Sequence, residues 1–178
     1  MVAEKTIVTY WLCPAEPMRS YLSEMIRNLA ARFEAPIFEP HVKIYVTNAT
    51  DESPDALLLE QALKDRGGFR LFIRGLDYSD KFTKTVFVQF EPDAELARLS
   101  SNLRTASVSQ NEYQLNPHLS LIYKKMSPET KMQVANSIRL PFTDVFFDSM
   151  KAVISPAKIE SRADVEAWRV VAEKSFTG

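Results

Sequence analysis

The sequence contains very little of several residue types that mark common protein classes. A single cysteine, Cys13, excludes an internal disulfide and a multi-cysteine zinc site. The four glycines form no Gly-rich phosphate loop, which argues against the nucleotide-binding folds that use one. No apolar run approaches the roughly 18–20 residues of a membrane span. A net charge of −1 gives no basic field for a long nucleic acid, so we predict a soluble cytoplasmic protein that binds neither membranes nor long nucleic acids.

The remaining composition is typical of a globular domain. Hydrophobic residues make up 46% of the 178 residues and charged residues 25%, which are ordinary values. A chain of this length can bury a sizeable core. We interpret residues 1–178 as one bilobal domain and expect it to be a monomer.

Both histidines of the chain lie in similar sequences. His41 is the second residue of the string Pro-His-Val-Lys-Ile-Tyr, and His118 is the second residue of the string Pro-His-Leu-Ser-Leu-Ile. Two Pro-His pairs with the same apolar–polar–apolar continuation, about half a chain apart, indicate an internal duplication. Each of two similar lobes would then contribute one histidine-bearing strand.

The wider pattern predicts an α+β fold with mostly antiparallel sheets and helices on their outer faces. Apolar spacings of three and four indicate a helix over 17–33, and prolines mark further helix starts near 54, 92 and 128. The predicted strands cover 5–13, 40–46, 69–78, 83–90, 118–123, 144–147, 151–155 and 167–176. The fold class is therefore two pseudo-symmetric lobes, each an antiparallel sheet with outer helices, and a cleft between them.

Strand geometry sorts the side chains around the two histidines. Alternation places His41, Lys43 and Tyr45 on one face of the first string, with the apolar residues on the other. It places His118 and Ser120 together in the second string. We expect the apolar faces to pack on helices and the histidine faces to line a groove, although Tyr45 fits an ordinary sheet position as well.

Two histidines that meet in one groove suit general acid–base chemistry. Unperturbed imidazole titrates near pH 6.5, so a neutral ring can accept a proton while a protonated partner donates one. Hydroxyl or ammonium groups at positions 43 and 120 would hold the oxygens of a phosphodiester. This chemistry requires no metal and no cofactor.

The doubled His-x-polar pattern resembles that of the 2H phosphoesterases. The strand Tyr-Trp-Leu-Cys-Pro over 10–14, the His118 string and the tail Trp-Arg-Val-Val-Ala over 168–172 are similar to the plant and yeast cyclic phosphodiesterases of that superfamily. The resemblance extends from about residue 5 to residue 176. It implies metal-independent opening of nucleoside 2′,3′-cyclic phosphates or of ADP-ribose 1″,2″-cyclic phosphate.

The resemblance also implies roles for individual residues. His41 and His118 match the two motif histidines, and Ser120 matches the second motif hydroxyl. Trp11 and Tyr123 match aromatic positions that line the cleft of the family. Tyr123 needs the strand to end or bend, because regular alternation turns it to the opposite face. Trp168, in the matching tail, is expected in the core.

Position 43 departs from the family pattern, because Lys43 stands where the motif has Thr or Ser. Its ammonium group can bind phosphate but disfavours a protonated histidine nearby. Lys84, on the strand predicted over 83–90, is a second candidate phosphate contact, although no sequence motif supports it. Two other functions therefore stay open: a non-catalytic module that binds phosphate or an RNA end, and an RNA-end-processing enzyme. The substrate would be a small nucleotide or a short RNA end.

Overall fold

A computed structural model describes residues 5–49, 55–108 and 110–176 of the chain. Within these ranges no helix is long and apolar enough to cross a membrane. The helices are α1 (Met18–Phe33), α2 (Asp55–Leu63), α3 (Ala94–Ala106), α4 (Pro128–Ser137) and α5 (Arg162–Glu166), and a 3₁₀ turn covers Phe82–Lys84. The strands are β1 (Thr6–Pro14), β2 (Val42–Asn48), β3 (Phe69–Tyr78), β4 (Val86–Phe90), β5 (His118–Ile122), β6 (Asp144–Pro156) and β7 (Arg169–Ser175).

The seven strands form an antiparallel sheet in the order β1-β2-β5-β4-β3-β6-β7. An additional β1–β6 pairing closes six strands into a ring. One lobe consists of β1, β2, β7 and most of β6, and the other of β3, β4, β5 and the start of β6. The lobes meet at β6 and at a single bridge between β2 and β5, where Val42 pairs with Leu119. The α+β class and the antiparallel sheets are confirmed.

β6 corrects the prediction of two separate strands over 144–147 and 151–155. Its first residues pair with β3, and residues from Ser149 onward pair with β7 along the same edge. β1 pairs with β6 along the opposite edge, from Pro156 back to Phe147. The polar residues Asp148 and Ser149 interrupt the apolar pattern, but the ladder with β1 continues through Ser149, which keeps the strand extended.

Two other predicted strands begin later than expected. The strand predicted over 83–90 opens with the 3₁₀ turn, so Lys84 lies on that turn and not on a strand. The buried Thr85 hydroxyl stabilises the turn by donating to the Phe82 carbonyl at 2.9 Å. The segment predicted as strand from 167 follows a short helix, α5, whose Ser161 and Asp164 form a capping box; β7 then starts at Arg169.

The other helices follow the sequence pattern closely. In α1 the buried residues Leu22, Ile26, Leu29 and Ala30 form one apolar stripe. Side-chain oxygens cap two further helices: Asp93 accepts from the Leu96 N–H of α3, and Ser127 accepts from the Thr130 N–H of α4. The predicted start of α2 at residues 53–54 lies outside the described residues.

Alternation along β1 separates the core from the opposite face of the sheet. Val8, Tyr10 and Leu12 are buried in the main core together with Val42 and Ile44 of β2. Trp11 and Cys13 lie on the other face in a small cluster with Val153. Burial raises the pKa of the Cys13 thiol to about 12, so this cysteine is a neutral packing residue.

Each histidine strand has a register shift three residues after its histidine. On β1, Tyr10 pairs with Tyr45 and the next residue, Trp11, pairs with Lys43, so β2 contains one extra residue. β5 contains one extra residue in the same way, because Val86 pairs with Ile122 and Phe87 with Ser120. Such a bulge reverses the inward and outward alternation beyond it. Tyr45 is therefore buried in the core, and the prediction that it shares the face of His41 and Lys43 is wrong.

Candidate active site

A cavity of about 160 Å³ opens between the two lobes on the face away from the main core. Six of the seven predicted site residues line it. The lining side chains are Thr9, Trp11, His41, Lys43, Thr83, His118, Ser120, Tyr123, Val153, Ser155, Ala157, Ile159 and Trp168. None of these residues is a carboxylate, so the wall is neutral or cationic.

The single β2–β5 bridge brings the two histidine strings together. Because Val42 pairs with Leu119 in antiparallel register, His41 comes opposite Ser120 and Lys43 comes opposite His118. The apolar bridge residues point into the core, and their four polar neighbours point into the cavity. Residues 77 positions apart in the chain thus share one wall.

Both imidazole rings are held in the same way. Nδ1 of His41 is 2.7 Å from the Glu39 carbonyl oxygen, and Nδ1 of His118 is 2.7 Å from the Asn116 carbonyl oxygen. A carbonyl oxygen only accepts, so each Nδ1 carries the proton and donates it. Nε2 of each neutral ring is then a lone-pair acceptor, and it has no hydrogen-bond partner among the described residues.

The surroundings of the two rings differ. His41 stacks on Trp11 with ring centroids 3.7 Å apart, and the Phe38 and Trp168 rings make T-shaped contacts with centroids 6.3 and 5.9 Å away. His118 contacts one aromatic ring, that of Phe87, edge to face at 5.4 Å. His41 is therefore held in an aromatic enclosure, whereas His118 lies on the more open and more charged side of the cavity.

Burial holds both histidines neutral near pH 7 in the ligand-free protein. Loss of solvent lowers the pKa of His41 to about 3 and the pKa of His118 to about 4. The hydrogen bond to the carbonyl opposes this shift in each case. Nearby lysine charges add to it: Lys43 acts on both rings, and Lys84 acts on His118. Both rings are therefore bases at neutral pH.

Lys43 brings positive charge directly to the cavity wall. Burial, together with the charge of Lys81, lowers the pKa of its ammonium group. No carboxylate in the described part of the chain forms an ion pair with it. An unpaired and partly desolvated cation of this kind attracts anions.

Lys84, the other predicted phosphate contact, lies outside the cavity lining. Lys84 belongs to the 3₁₀ turn, and its Nζ is 4.5 Å from the centre of the Phe87 ring, which contacts His118. From this position it affects His118 through its charge. The residue before it, Thr83, does line the cavity, and no motif in the sequence indicates this role.

Ser120 is buried, and its hydroxyl already has a hydrogen-bond partner. It donates to the Thr83 carbonyl oxygen at 2.7 Å. Burial raises the pKa of Tyr123 above its usual value. Ser120 can donate to a ligand only after its hydroxyl rotates.

The bulge in β5 explains how Tyr123 reaches the cavity. Regular alternation would turn this residue away from Ser120, but the extra residue in β5 reverses the facing. The Tyr123 ring stacks on Phe38 at 3.9 Å. Trp11 is only 4% exposed, and one of its faces is covered by His41. One face of the Trp11 ring and one face of the Tyr123 ring are therefore already covered by another ring of the protein.

Trp168 is the largest cavity residue that the sequence did not assign to the site. It packs against the core, as expected, and it also lines the cavity. Its ring makes T-shaped contacts with Trp11, His41 and Tyr123, with centroids 5.1, 5.9 and 5.9 Å apart. The short helix α5, which was not predicted, places it there. Thr9 pairs with Val153 in the β1–β6 ladder, and Ser155 lies two residues further along β6; both add hydroxyl groups to the same wall.

Metal ligands are scarce in this part of the molecule. Within the residues that the structure describes, no group of three or more His, Cys, Asp and Glu side chains is arranged to bind a metal ion. The polar groups of the wall are two imidazoles, an ammonium and several hydroxyls. They suit an anionic ligand and proton transfer.

The fold and the cavity together define a bilobal protein with a pair of histidines in a cationic cleft. A sequence model of the family described as cyclic phosphodiesterase-like protein matches residues 7–176. The chain belongs to this family of 2H phosphoesterases, which confirms the predicted superfamily and the prediction of a phosphodiesterase enzyme.

Individual relatives are distant. The cyclic phosphodiesterase of Arabidopsis thaliana is 19% identical over 172 residues, which cover 95% of this chain and 94% of the relative. Among solved structures, TT0787 of Thermus thermophilus has a TM-score of 0.63 at 19% identity and covers 96% of this chain and 97% of its own. Escherichia coli LigT complexed with 3′-AMP has a TM-score of 0.61 at 14% identity, with 98% and 100% covered. These two structures agree with the fold described above.

Proposed function

We propose that the protein hydrolyses a cyclic phosphodiester of a small nucleotide, either a nucleoside 2′,3′-cyclic phosphate or ADP-ribose 1″,2″-cyclic phosphate. The observation that carries the proposal is the pair of histidines in one cavity, each with Nδ1 bonded to a carbonyl and Nε2 unpartnered among the described residues. Two identical proton-transfer groups on one wall suit the attack and departure steps of ester hydrolysis.

The reaction needs one ring as a base and the other as an acid. Nε2 of one histidine takes a proton from water as the water oxygen bonds to phosphorus. Nε2–H of the other gives a proton to the ribose oxygen as its bond to phosphorus breaks. Both rings are neutral in the ligand-free protein, because burial lowers the pKa of each. The negative charge of the bound phosphodiester favours the protonated ring and supplies the acid.

Lys43 is the proposed first contact of the phosphate. Its ammonium is partly desolvated and unpaired with any carboxylate of the described chain, and it stands opposite His118 on the neighbouring strand. Ser120 would add a hydroxyl after rotating away from the Thr83 carbonyl. Lys84 would act on the phosphate through its charge from outside the cavity.

The size of the cavity favours a small substrate. Pockets that enclose a whole drug-sized ligand measure roughly 300–1,000 Å³, whereas this cavity measures about 160 Å³. We infer that it holds the cyclic phosphate and part of the ribose, with the base toward the rim near Trp11 and Tyr123. LigT has been crystallised with 3′-AMP, phosphate, ATP and NADP+, which supports a nucleotide ligand. We also propose that the protein is a cytoplasmic monomer and that its reaction needs neither a metal nor a cofactor.

The test is a direct assay of ring opening. The protein is incubated with each cyclic nucleotide in the presence of a chelator, and the products are separated by ion-exchange chromatography. His41→Gln and His118→Gln are each expected to lower kcat by a factor of about 10²–10⁴, the usual contribution of a positioned acid or base. Lys64→Met removes a distant exposed lysine and should retain full activity. Turnover by both histidine variants at the wild-type rate would refute the proposal.

Lys43 favours one second candidate, a module that binds a phosphate or an RNA terminus without cleaving it. A lysine replaces the motif hydroxyl, and its charge opposes formation of the imidazolium acid. Binding of 2′,3′-cyclic AMP without turnover, with turnover gained in Lys43→Thr, would select this function. Faster cleavage of an oligonucleotide end than of the mononucleotide would select RNA-end processing.

A further inference from the structure

The residue two positions before each histidine is itself held by a side chain from another strand. Glu39, whose carbonyl accepts from His41, forms an ion pair with Lys151 of β6 at 2.7 and 2.8 Å to its two carboxylate oxygens. Asn116, whose carbonyl accepts from His118, accepts from the Gln89 amide of β4 at 2.9 Å. The same arrangement therefore occurs in both lobes. A side chain from another strand holds a residue, and the backbone carbonyl of that residue accepts a hydrogen bond from the histidine.

Lys151 is well placed to fix the His41 segment. It pairs with Trp11 across the β1–β6 ladder, and Trp11 stacks on His41. The Lys151 side chain is 15% exposed and that of Glu39 33%, so this ion pair is more protected from water than a surface pair. Glu39 precedes Pro40 in a segment without regular structure, where no ladder holds its carbonyl.

Gln89 serves the His118 segment in the same way. It lies directly opposite His118 in the β4–β5 ladder. Its amide nitrogen contacts Asn116 Oδ1 at 2.9 Å, the Pro117 carbonyl at 3.0 Å and the Phe90 carbonyl at 3.2 Å. Asn116 also precedes a proline outside the strand. The Phe90 N–H donates to the Pro117 carbonyl at 3.0 Å, and the Gln89 amide provides the side-chain restraint on Asn116 itself.

We propose that Lys151 and Gln89 are positioning residues that fix the tautomer of His41 and His118, respectively. A neutral imidazole exists in two tautomers, and only the Nδ1–H form leaves a lone pair on Nε2. A carbonyl held at 2.7 Å selects that form, and a carbonyl free to move away does not. The link to catalysis rests on the proposed function, whereas the link to the tautomer does not.

Nuclear magnetic resonance of ¹⁵N-labelled histidine at pH 7 tests the tautomer directly. In the wild type both rings should show a protonated Nδ1 and an unprotonated Nε2. Lys151→Met keeps the apolar stem and removes the charge; it should introduce the Nε2–H tautomer at His41 and leave His118 unchanged. Gln89→Leu should do the reverse. Lys151→Arg, which can restore the two-oxygen ion pair, should return His41 to one tautomer.

Kinetics on the same variants tests the consequence for catalysis. Lys151→Met and Gln89→Leu should each lower kcat by about tenfold or more with little change in KM, which is the size of loss known for residues that orient metal-binding histidines. Arg74→Met is the matched control, because it breaks an exposed ion pair with Glu91 at 2.9 Å outside the cavity. It should leave both tautomers and kcat unchanged.

The outcomes separate this inference from the proposed function. A single Nδ1–H tautomer at His41 in Lys151→Met, or equal changes at both rings, overturns the assignment of Lys151. If Lys151→Met does not fold, Glu39→Gln removes the same ion pair and retains the backbone carbonyl. If the wild type turns over no cyclic phosphate, the proposed function fails, and the tautomer measurement still decides the positioning role.

Discussion

Binding of sulfate should be coupled to uptake of a proton by the site histidines. In the ligand-free protein burial lowers the pKa of His41 to about 3 and that of His118 to about 4, so both rings are neutral at pH 7. Sulfate does not titrate over the pH range from about 5 to 8 and carries its charge throughout. A negative charge beside a ring favours the imidazolium form and raises its pKa. The affinity for sulfate should therefore rise as the pH falls.

The size of the effect follows from the pKa difference between the free and bound states. If sulfate restores the pKa of His118 from about 4 to the ordinary 6.5, the affinity gains about two orders of magnitude or slightly more, because each pKa unit is a factor of ten. The gain begins as the pH falls through about 6.5. It ends near pH 4, where the free ring is itself protonated. Above pH 7 both rings are neutral with or without sulfate, so titration of the histidines should change the affinity for sulfate very little.

Isothermal titration calorimetry at about pH 5.5 in two buffers of different ionisation enthalpy counts the protons taken up. We expect about one proton per sulfate for the wild type and fewer for His118→Gln or His41→Gln. Lys43 also has a lowered pKa, so Lys43→Met tests whether the lysine is the source of the proton uptake. This variant should bind sulfate more weakly but still take up a proton. Sulfate affinity that stays constant from pH 7 to pH 5, with no proton uptake, would refute the assignment of neutral, anion-responsive histidines.

Three further predictions concern stability and packing. Because the pKa of His41 is depressed, the stability that its neutral form contributes above pH 6.5 is lost as the pH falls toward about 3. The free energy of unfolding falls with a slope of up to about 1.4 kcal/mol per pH unit. Urea unfolding at pH 7 and pH 5 should therefore show a smaller loss of stability for His41→Gln than for the wild type. Trp11→Leu removes the ring that stacks on His41 and should lower the free energy of unfolding by about 2–4 kcal/mol and reduce kcat, as measured by urea unfolding and the ring-opening assay. Asp93→Ala removes the cap of α3 and should cost about 1 kcal/mol in the same unfolding assay with unchanged kcat. A loss of activity in Asp93→Ala, or full activity in Trp11→Leu, would contradict the division between core and site.

The sequence predicted the elements with strong periodicity and the residues that follow a repeated motif. The stripe of α1 and the strings at His41 and His118 show in the pattern because burial on one face imposes a period. Two strands were predicted in place of β6, because Asp148 and Ser149 resemble a turn when the neighbouring strands are not known. The residues that fold against a segment decide whether a short polar interruption ends it.

The bulges show most clearly what a periodic analysis misses. One extra residue in β2 and one in β5 place Tyr45 in the core and Tyr123 at the cavity, opposite to strict alternation. A register shift depends on the partner strand and has no signature in the string itself. Trp168 was missed for a related reason, because the short helix α5 that places it at the cavity is stabilised by a local capping box without an apolar period.

Lys43 gives the cavity a property that a motif hydroxyl would not. Two partly buried, neutral imidazoles can bind an anion only weakly, because neither carries charge at neutral pH. An ammonium on the same wall supplies that attraction from the start. The same charge makes the imidazolium less stable while the cavity is empty, and a bound phosphate would cancel this penalty. Under the proposed mechanism the acid would therefore form chiefly in the complex with substrate, so that anion binding and activation of the histidine pair would be a single event.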